Sequence, residues 1–476
     1  MYLLIAILLI AAIYSTKITS KFGVPVLLLF LGIGMLCGSD VLNLIYFDNA
    51  VLAQKVANIF LIFILFEGGF HTRREIVQSV FGPALTLATF GIALTAGILG
   101  LLIHFIMGLD LLYSLLIGSI ISSTDAAAVF MIIRQRAIKK RVSLTLEVES
   151  ATNDPMAIML TIVFIQIITG HPQNIGLFIL NLIWQFGGGI VVSWLISKIG
   201  AFLFNNLKVE NRGYYHVLSI AVCLLAYGSA EVVKANGIIA VFFAGYWLGN
   251  TDFAYRKGVG NFIEGISTFS NIAIFLLLGV LVFPKSLLSV WQEGLLITAI
   301  MILVARPLTI LICTLPFNFK FREKVFLMWG GIKGAVPIVL ATYPAVYGID
   351  QNHFIFNIVF FAVFLSCLLQ GVTLTWGASK LRLCIPSRPK PIHSIELITT
   401  RKTDVDVFEI QLSDNSKIDG LQIRDLALPP DSLIIAIIRD DQIIPPKGHT
   451  VLKKGDILFV IAAQDNVERI SEILSK

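Results

Sequence analysis

Five charged side chains stand in stretches that are otherwise apolar: Asp125, Glu149, Asp154, Arg306 and Lys333. An ionisable group at bilayer depth costs about 3 kcal/mol or more unless paired or hydrated, so each marks a function or a partner. The segment ESATNDP, Glu149–Pro155, has its own geometry. Ser150 and Asp154 are four residues apart and share one helix face; Glu149 and Asn153 share the next. The first face can ligate a cation through a carboxylate and a hydroxyl. The second can turn Glu149 toward a cationic partner while Asn153 makes neutral hydrogen bonds. Pro155 lacks an N–H and disfavours helix at the residue before it, so a loosened turn is expected at Asp154.

Two further segments supply the rest. In SSTDAAAVF, Ser122–Phe130, small residues let another helix approach, Thr124 offers an oxygen and Asp125 a second carboxylate. Hard monovalent cations prefer such oxygen ligands. GGIKGAVP, Gly330–Pro337, favours an interrupted helix whose half-helix carbonyl ends, or nearby carboxylates, Lys333 would balance. Asp125, Arg306 and Lys333 each lie about nine residues from the same boundary of their segments, or about 12–14 Å into a core about 30 Å thick. Asp154 reaches a similar depth. Charges from four segments thus converge on one level.

Each has a plainer reading. Asp125 and Asp154 could hold helices together. Glu149 and Arg306 read as a scaffold ion pair rather than ligands, and Lys333 as a structural charge. Glu67, one turn from His71, reads equally as an interfacial carboxylate or a ligand. Glu231, Glu264 and Lys234 sit at segment ends and read as solvated. His104 and His216 read as satisfied histidines.

The elements that must position these residues are membrane spans. Of 476 residues, 57% are hydrophobic and 14% charged, with mean hydropathy +0.86; a soluble chain carries roughly 25% charge. About thirteen apolar segments are long enough to cross a bilayer. They lie near 2–16, 24–43, 55–70, 80–106, 111–133, 144–169, 175–205, 214–232, 237–249, 266–283, 287–315, 325–346 and 354–379. Basic residues follow each odd-numbered span, as at Arg73 and Arg74, Arg134 to Arg141, and Lys320 to Lys324. By the positive-inside rule these loops are cytoplasmic, the N-terminus outside and the C-terminus inside. The net charge of +6 is explained by those loops, and nucleic acid is not an expected partner. The first segment reads as a retained span, not a signal peptide. The five cysteines show no paired spacing, so no metal centre, disulfide framework or cofactor is expected.

FLGIGMLCGSD, Phe30–Asp40, echoes VFFAGYWLGNT, Val241–Thr251, with Gly34 and Gly38 matching Gly245 and Gly249. Seven spans separate the copies, so they would run in opposite directions, as in an inverted repeat. After the linker SRPKP at Ser387, short alternating apolar runs read as a small cytoplasmic α/β domain that ends in the helix VERISEIL. The fold class expected is therefore an all-α polytopic membrane protein with inverted repeats and broken crossing helices, plus that domain. The expected domains are 1–383 in the membrane, a linker at 384–393, and 394–476.

Together STDAA, ESATNDP, Ala305–Pro307 and GGIKGAVP resemble the cation/proton antiporter superfamily, in its electroneutral NhaP-like branch, over roughly residues 1–380; LFEGGF, Leu65–Phe70, also fits. The resemblance implies a homodimer in the inner (plasma) membrane, with spans 5 and 12 unwound beside the ion site. It implies Asp154 as principal ion and proton carrier, with Asp125, Ser150 and Thr124 completing the site. Asn153 and Glu67 would organise it, and Glu149 would pair with Arg306. The tail from about Ser394 resembles the TrkA-C domain of potassium-conductance regulators, which makes K⁺ the favoured cation, Na⁺ (or Li⁺) the alternative, and a cyclic dinucleotide a candidate regulatory ligand. A K⁺ channel would need TVGYG-like loops, and a membrane enzyme a nucleophile–base pair or HExxH spacing. The sequence has neither.

Overall fold

The computed structural model describes residues 2–22, 26–38, 40–47, 49–125, 138–170, 175–206, 211–350, 353–384, 405–412, 418–426, 428–430, 432–439, 442–463, 466, 469–470 and 473–474. Among the described residues, eight helices are long and apolar enough to cross a membrane, from Ala50–His71 to Phe354–Lys380. Shorter apolar helices stand at Ala6–Thr16, Val26–Cys37, Leu111–Ser122, Gly237–Gly249 and Ala335–Val346. Together they meet the expected spans one for one, and the same ordinals are kept below. Two short ones, in spans 5 and 12, are short because their helices stop inside the membrane segment. The far half of span 5, with Ala126–Phe130, lies outside the described residues.

The chain forms two compact units, one of Met1–Ala201, His216–Thr251 and Val259–Pro386, the other of Phe202–Tyr215, Asp252–Gly258 and Ser387–Lys476. In the first, pairs of helices touch backbone to backbone at glycines, and two of these pairs mirror each other. Gly34 of span 2 lies against Gly279 of span 10, and Gly69 of span 3 against Phe242 of span 9, whose Gly245 lies against Phe66. Any Cβ there would strike a carbonyl or α-carbon of the partner. Contacts 2–10 and 3–9 exchange when each span is advanced or set back by seven, as an inverted repeat requires.

Spans 4 and 11 carry a second mark of that repeat. Each is widened by one π turn, at Leu87–Gly91 and Met301–Ala305. Thr95 Oγ1 donates to Thr309 Oγ1 at 3.0 Å, each being the fourth residue past its π turn. Equivalent residues that pair with each other lie on a pseudo-twofold axis. Span 13 has a π turn too, at Cys367–Gly371.

Span 6, Lys140–Ile168, is one continuous helix. The loosened turn expected at Asp154 does not occur: Pro155 sits inside the helix, and neighbouring helices hold the turn although one backbone donor is missing. The start of span 6 is tied down twice. Lys139 N donates to Leu383 O at 3.0 Å beside an antiparallel bridge between Ile138 and Cys384. Arg141 donates to Asn318 O at 2.8 Å and lies over the Phe319 ring.

In the second unit, four antiparallel strands run β1 (Val405–Gln411), β2 (Leu433–Arg439), β3 (Gln442–Ile444) and β4 (Ile457–Ala463), in the sheet order β1-β4-β2-β3. Leu412, Ile434, Ile437, Leu458, Val460 and Leu474 share its main core. The Arg439 guanidinium holds the fully buried Asp456 carboxylate through bonds of 2.8 and 2.7 Å. Of the expected terminal helix, 469–470 and 473–474 are described and helical. The linker region 385–404 lies outside the described residues.

Candidate ion-binding site

Two helices that stop inside a membrane leave backbone groups with no partner along their own axis. Span 5 ends at Ser122 and continues extended through Ser123. Span 12 ends at Trp329 and resumes at Ala335. The two breaks bond to each other: Asp125 N donates to Ile332 O at 2.8 Å. Lys333, buried, donates through Nζ to Ser122 O at 3.0 Å, so its charge faces the carbonyl end of the span 5 half-helix. Gly334 is fixed by its neighbour, because a Cβ there would collide with the Asp125 carboxylate.

Arg306 leaves span 11 just after its π turn and meets Glu149 as a two-pronged pair, at 2.5 and 3.0 Å. Both groups are buried, at 4% and 0% side-chain exposure, a depth at which each charge requires the other. Arg306 also donates to Leu327 O at 3.3 Å, in the last turn before the span 12 break. Gly331 gives it room: a Cβ there would lie 2.8 Å from Arg306 Nε.

The next face of span 6 builds a hydroxyl cluster. Asn153 Nδ2 donates to Thr124 Oγ1 at 2.6 Å, and Thr124 Oγ1 shares a proton with Ser150 Oγ at 2.8 Å. The amide thereby ties the two hydroxyls to the Asn153 side chain. Thr124, Asp125, Ser150 and Asp154 line one cavity of about 600 Å³. Around Asp154, two buried oxygens have no hydrogen-bond partner among the described residues, Asp154 Oδ1 and Asn153 Oδ1, while the Ser123 hydroxyl stands close enough to interact with the Asp154 carboxylate. Oxygens left unsatisfied beside a carboxylate suit a desolvated alkali ion or a proton, since each would supply what the fold withholds.

The structure thus brings Asp125, Asp154, Ser150 and Thr124 to one cavity, with Asn153 behind them and Glu149, Arg306 and Lys333 at the breaks. Glu67 lines the same cavity farther along. It meets His71 Nδ1 at 3.0 Å and accepts from Ser267 Oγ at 3.4 Å. Glu147, Glu264 and Asn271 also line the cavity, beyond the site groups that the sequence points to. Glu147 shares the stripe of Ser150 and Asp154, a spacing of three and seven that could have shown it. Glu264, read as solvated, borders the cavity, as does Asn271. Only the packing of span 10 beside span 3 reveals these two. His104 bonds Leu109 O at 2.6 Å, and His216 stacks on Phe262 at 4.4 Å.

A helical membrane unit with two interrupted helices crossing beside a buried carboxylate cavity defines the class of ion-coupled secondary transporters. Residues 5–380 match the family model described as sodium/hydrogen exchanger, transmembrane, and residues 407–475 match the TrkA-C domain. The chain is 36% identical to a protein of Shewanella sp. (strain ANA-3) named K(+)/H(+) antiporter NhaP2, over 100% of this chain and 83% of that one. It is 34% identical to K(+)/H(+) antiporter NhaP of Alkalimonas amylolytica, over 99% and 83%. The solved sodium proton antiporter MjNhaP1 of Methanocaldococcus jannaschii matches with a TM-score of 0.69 and 26% identity, over 80% of this chain and 99% of that one. The chain belongs to the sodium/hydrogen exchanger family and is a multi-pass membrane antiporter that carries a C-terminal TrkA-C domain.

Proposed function

We propose that this protein exchanges a monovalent cation, K⁺ in preference to Na⁺, for protons at a single site formed by Asp154, Asp125, Ser150 and Thr124. The supporting observation is the set of unsatisfied oxygens around Asp154 in a cavity that Asp125 also lines. Two nearby carboxylates titrate as a coupled pair, so a cation and protons compete for the same charge. The names of the Shewanella and Alkalimonas relatives favour K⁺.

Asn153, where a further carboxylate would add charge, supports an electroneutral exchange. Such a cycle would not respond to membrane potential, which is worth about 2.3 kcal/mol per net charge per 100 mV. The cavity reaches His71 and Thr72, at the end of span 3 that the basic loops mark as cytoplasmic. It is therefore the inward-facing access route of a protein in the inner (plasma) membrane, N-terminus out and tail in. The protein works as a homodimer and not as an enzyme. Residues 1–383 transport, and 394–476, joined through 384–393, regulate transport in response to a small cytoplasmic ligand such as a cyclic dinucleotide.

The test is proton flux in proteoliposomes with K⁺, Na⁺ and Li⁺ supplied in turn. The parent should respond most strongly to K⁺ and show no dependence on an imposed potential, and Asp154→Asn should be silent. Cation-dependent flux that persists in Asp154→Asn would refute the site.

A further inference from the structure

The break in span 12 has a specific cost. In an unbroken helix Lys333 N–H would donate to Trp329 O, four residues back. Here the two groups are parted, and both are deep in the membrane unit, where an unpaired backbone group is expensive. Neither is left unpaired. Lys333 N donates to Ser366 Oγ at 3.3 Å, Ser366 Oγ donates to Gln370 Oε1 at 2.6 Å, and Gln370 Nε2 donates to Trp329 O at 3.1 Å. The four groups form one directional chain from the donor to the acceptor that the break separated. Only one orientation of the Gln370 amide fits, since the hydroxyl must meet its oxygen and the carbonyl its nitrogen.

Both side chains are buried, with 0% and 1% exposure, and both come from span 13 at its π turn. A π turn accommodates an extra residue and re-aims the side chains around it, and such turns are frequent at functional sites. Cys367 Sγ, from the same turn, donates to Lys333 O at 2.8 Å. Span 13 therefore grips Lys333 at both backbone groups. Ile332 O, one residue earlier, receives Asp125 N, and the Lys333 ammonium reaches Ser122 O.

We propose that Ser366 and Gln370 are positioning residues of the ion site: by standing in for the lost backbone bond they hold the span 12 break open and thereby set the place of the Asp125 carboxylate. This rests on the single-site exchange reading. Without the chain, Trp329 O and Lys333 N recover partners only by drawing the two halves of span 12 together. That motion pulls Ile332 O away from Asp125.

The experiment uses Ser366→Ala, Gln370→Leu, their combination and, as a control on the same helix, Thr373→Val, which removes a hydroxyl outside the chain that accepts from the Trp329 indole and donates to Leu369 O. The full-length protein is tested in proteoliposomes with K⁺ as the varied ion. Each single variant is expected to raise the apparent KM for K⁺ about fivefold or more, with the maximal rate within about twofold, the size of one lost buried hydrogen bond. Because the two act as one chain, the double variant should be no more than about twofold worse than the poorer single one. Thr373→Val should leave KM at the parental value. Parental KM in both single variants, effects that multiply, or an equal shift from Thr373→Val would overturn the proposal.

A second readout needs no transport: the K⁺ concentration giving half-maximal thermal stabilisation in detergent should rise by the same factor. An unchanged value there overturns the proposal as well. If the Gln370→Leu protein does not fold, Gln370→Asn, too short to reach both partners, replaces it with the same expectation. Loss of cation-driven flux in the parent would instead refute the exchange reading.

Discussion

Spans 3 and 9 and the breaks of spans 5 and 12 are both places where two backbones touch, reached by opposite means. Spans 3 and 9 keep every turn helical and come together because Gly69, Gly245 and Gly249 have no side chain to separate them. Along the contact each helix keeps its own backbone ladder, and the two are tied to each other at their ends, where Asn250 Nδ2 donates to Thr72 O at 2.8 Å. The 5–12 crossing unwinds instead. It frees Asp125 N, Ile332 O, Ser122 O, Trp329 O and Lys333 N, and each is taken up by another element. The first arrangement makes a rigid wall. The second makes a polar surface whose geometry is held by side chains from spans 11, 12 and 13, and the proposed ion site is built from the second kind.

The largest way to break this comparison is at the pair serving the crossing. Arg306→Met should strand the Glu149 carboxylate in a buried place and cost about 3–5 kcal/mol, read as a large fall in the thermal unfolding midpoint in detergent. The double variant Glu149→Gln with Arg306→Met should recover much of that loss. A milder single variant would mean that water, not Arg306, satisfies Glu149. Next in size is Gly334→Ala, whose Cβ collides with Asp125. Proteoliposome flux should fall by about tenfold or more while the unfolding midpoint moves much less, since displacing Asp125 by an ångström is costly for function first.

At the wall the order should reverse. Gly245→Ala drives a Cβ into Phe66 O and should cost about 1–3 kcal/mol of stability by overpacking, with residual transport falling in step with folded protein. If Gly245→Ala instead altered KM with full stability, the contrast between wall and crossing would fail. The smallest effect is Gly97→Ala in span 4, where an added Cβ meets nothing within 4 Å. It should raise stability by up to about 1 kcal/mol, seen as a slightly higher midpoint with unchanged flux.

Much of this was legible beforehand because membranes impose simple rules. Apolar length fixed where the spans lie. The one-turn spacing of Ser150 and Asp154 correctly put them on a shared face, and Glu149 did find a cation. Pro155 misled: local propensity argued for a loosened turn, but in a packed membrane helix the neighbours supply what the missing N–H cannot. Glu264 is exposed, as expected, but it also borders the cavity. A carboxylate near a span end looks solvated in sequence, and only the span beside it decides whether that solvent is bulk water or a cavity.

Ser366 and Gln370 carried no signal at all. Neither is charged, neither belongs to a recognisable motif, and a serine and a glutamine one turn apart in an apolar helix suit many roles. What the sequence by itself determined was the kind of element and its chemistry: helices of spanning length, two of them unable to stay continuous, and acidic residues at a common depth. What only the tertiary structure decided was who satisfies whom. A freed backbone group costs the same wherever it is buried, but its partner comes from a span far along the chain, and no local spacing encodes that choice.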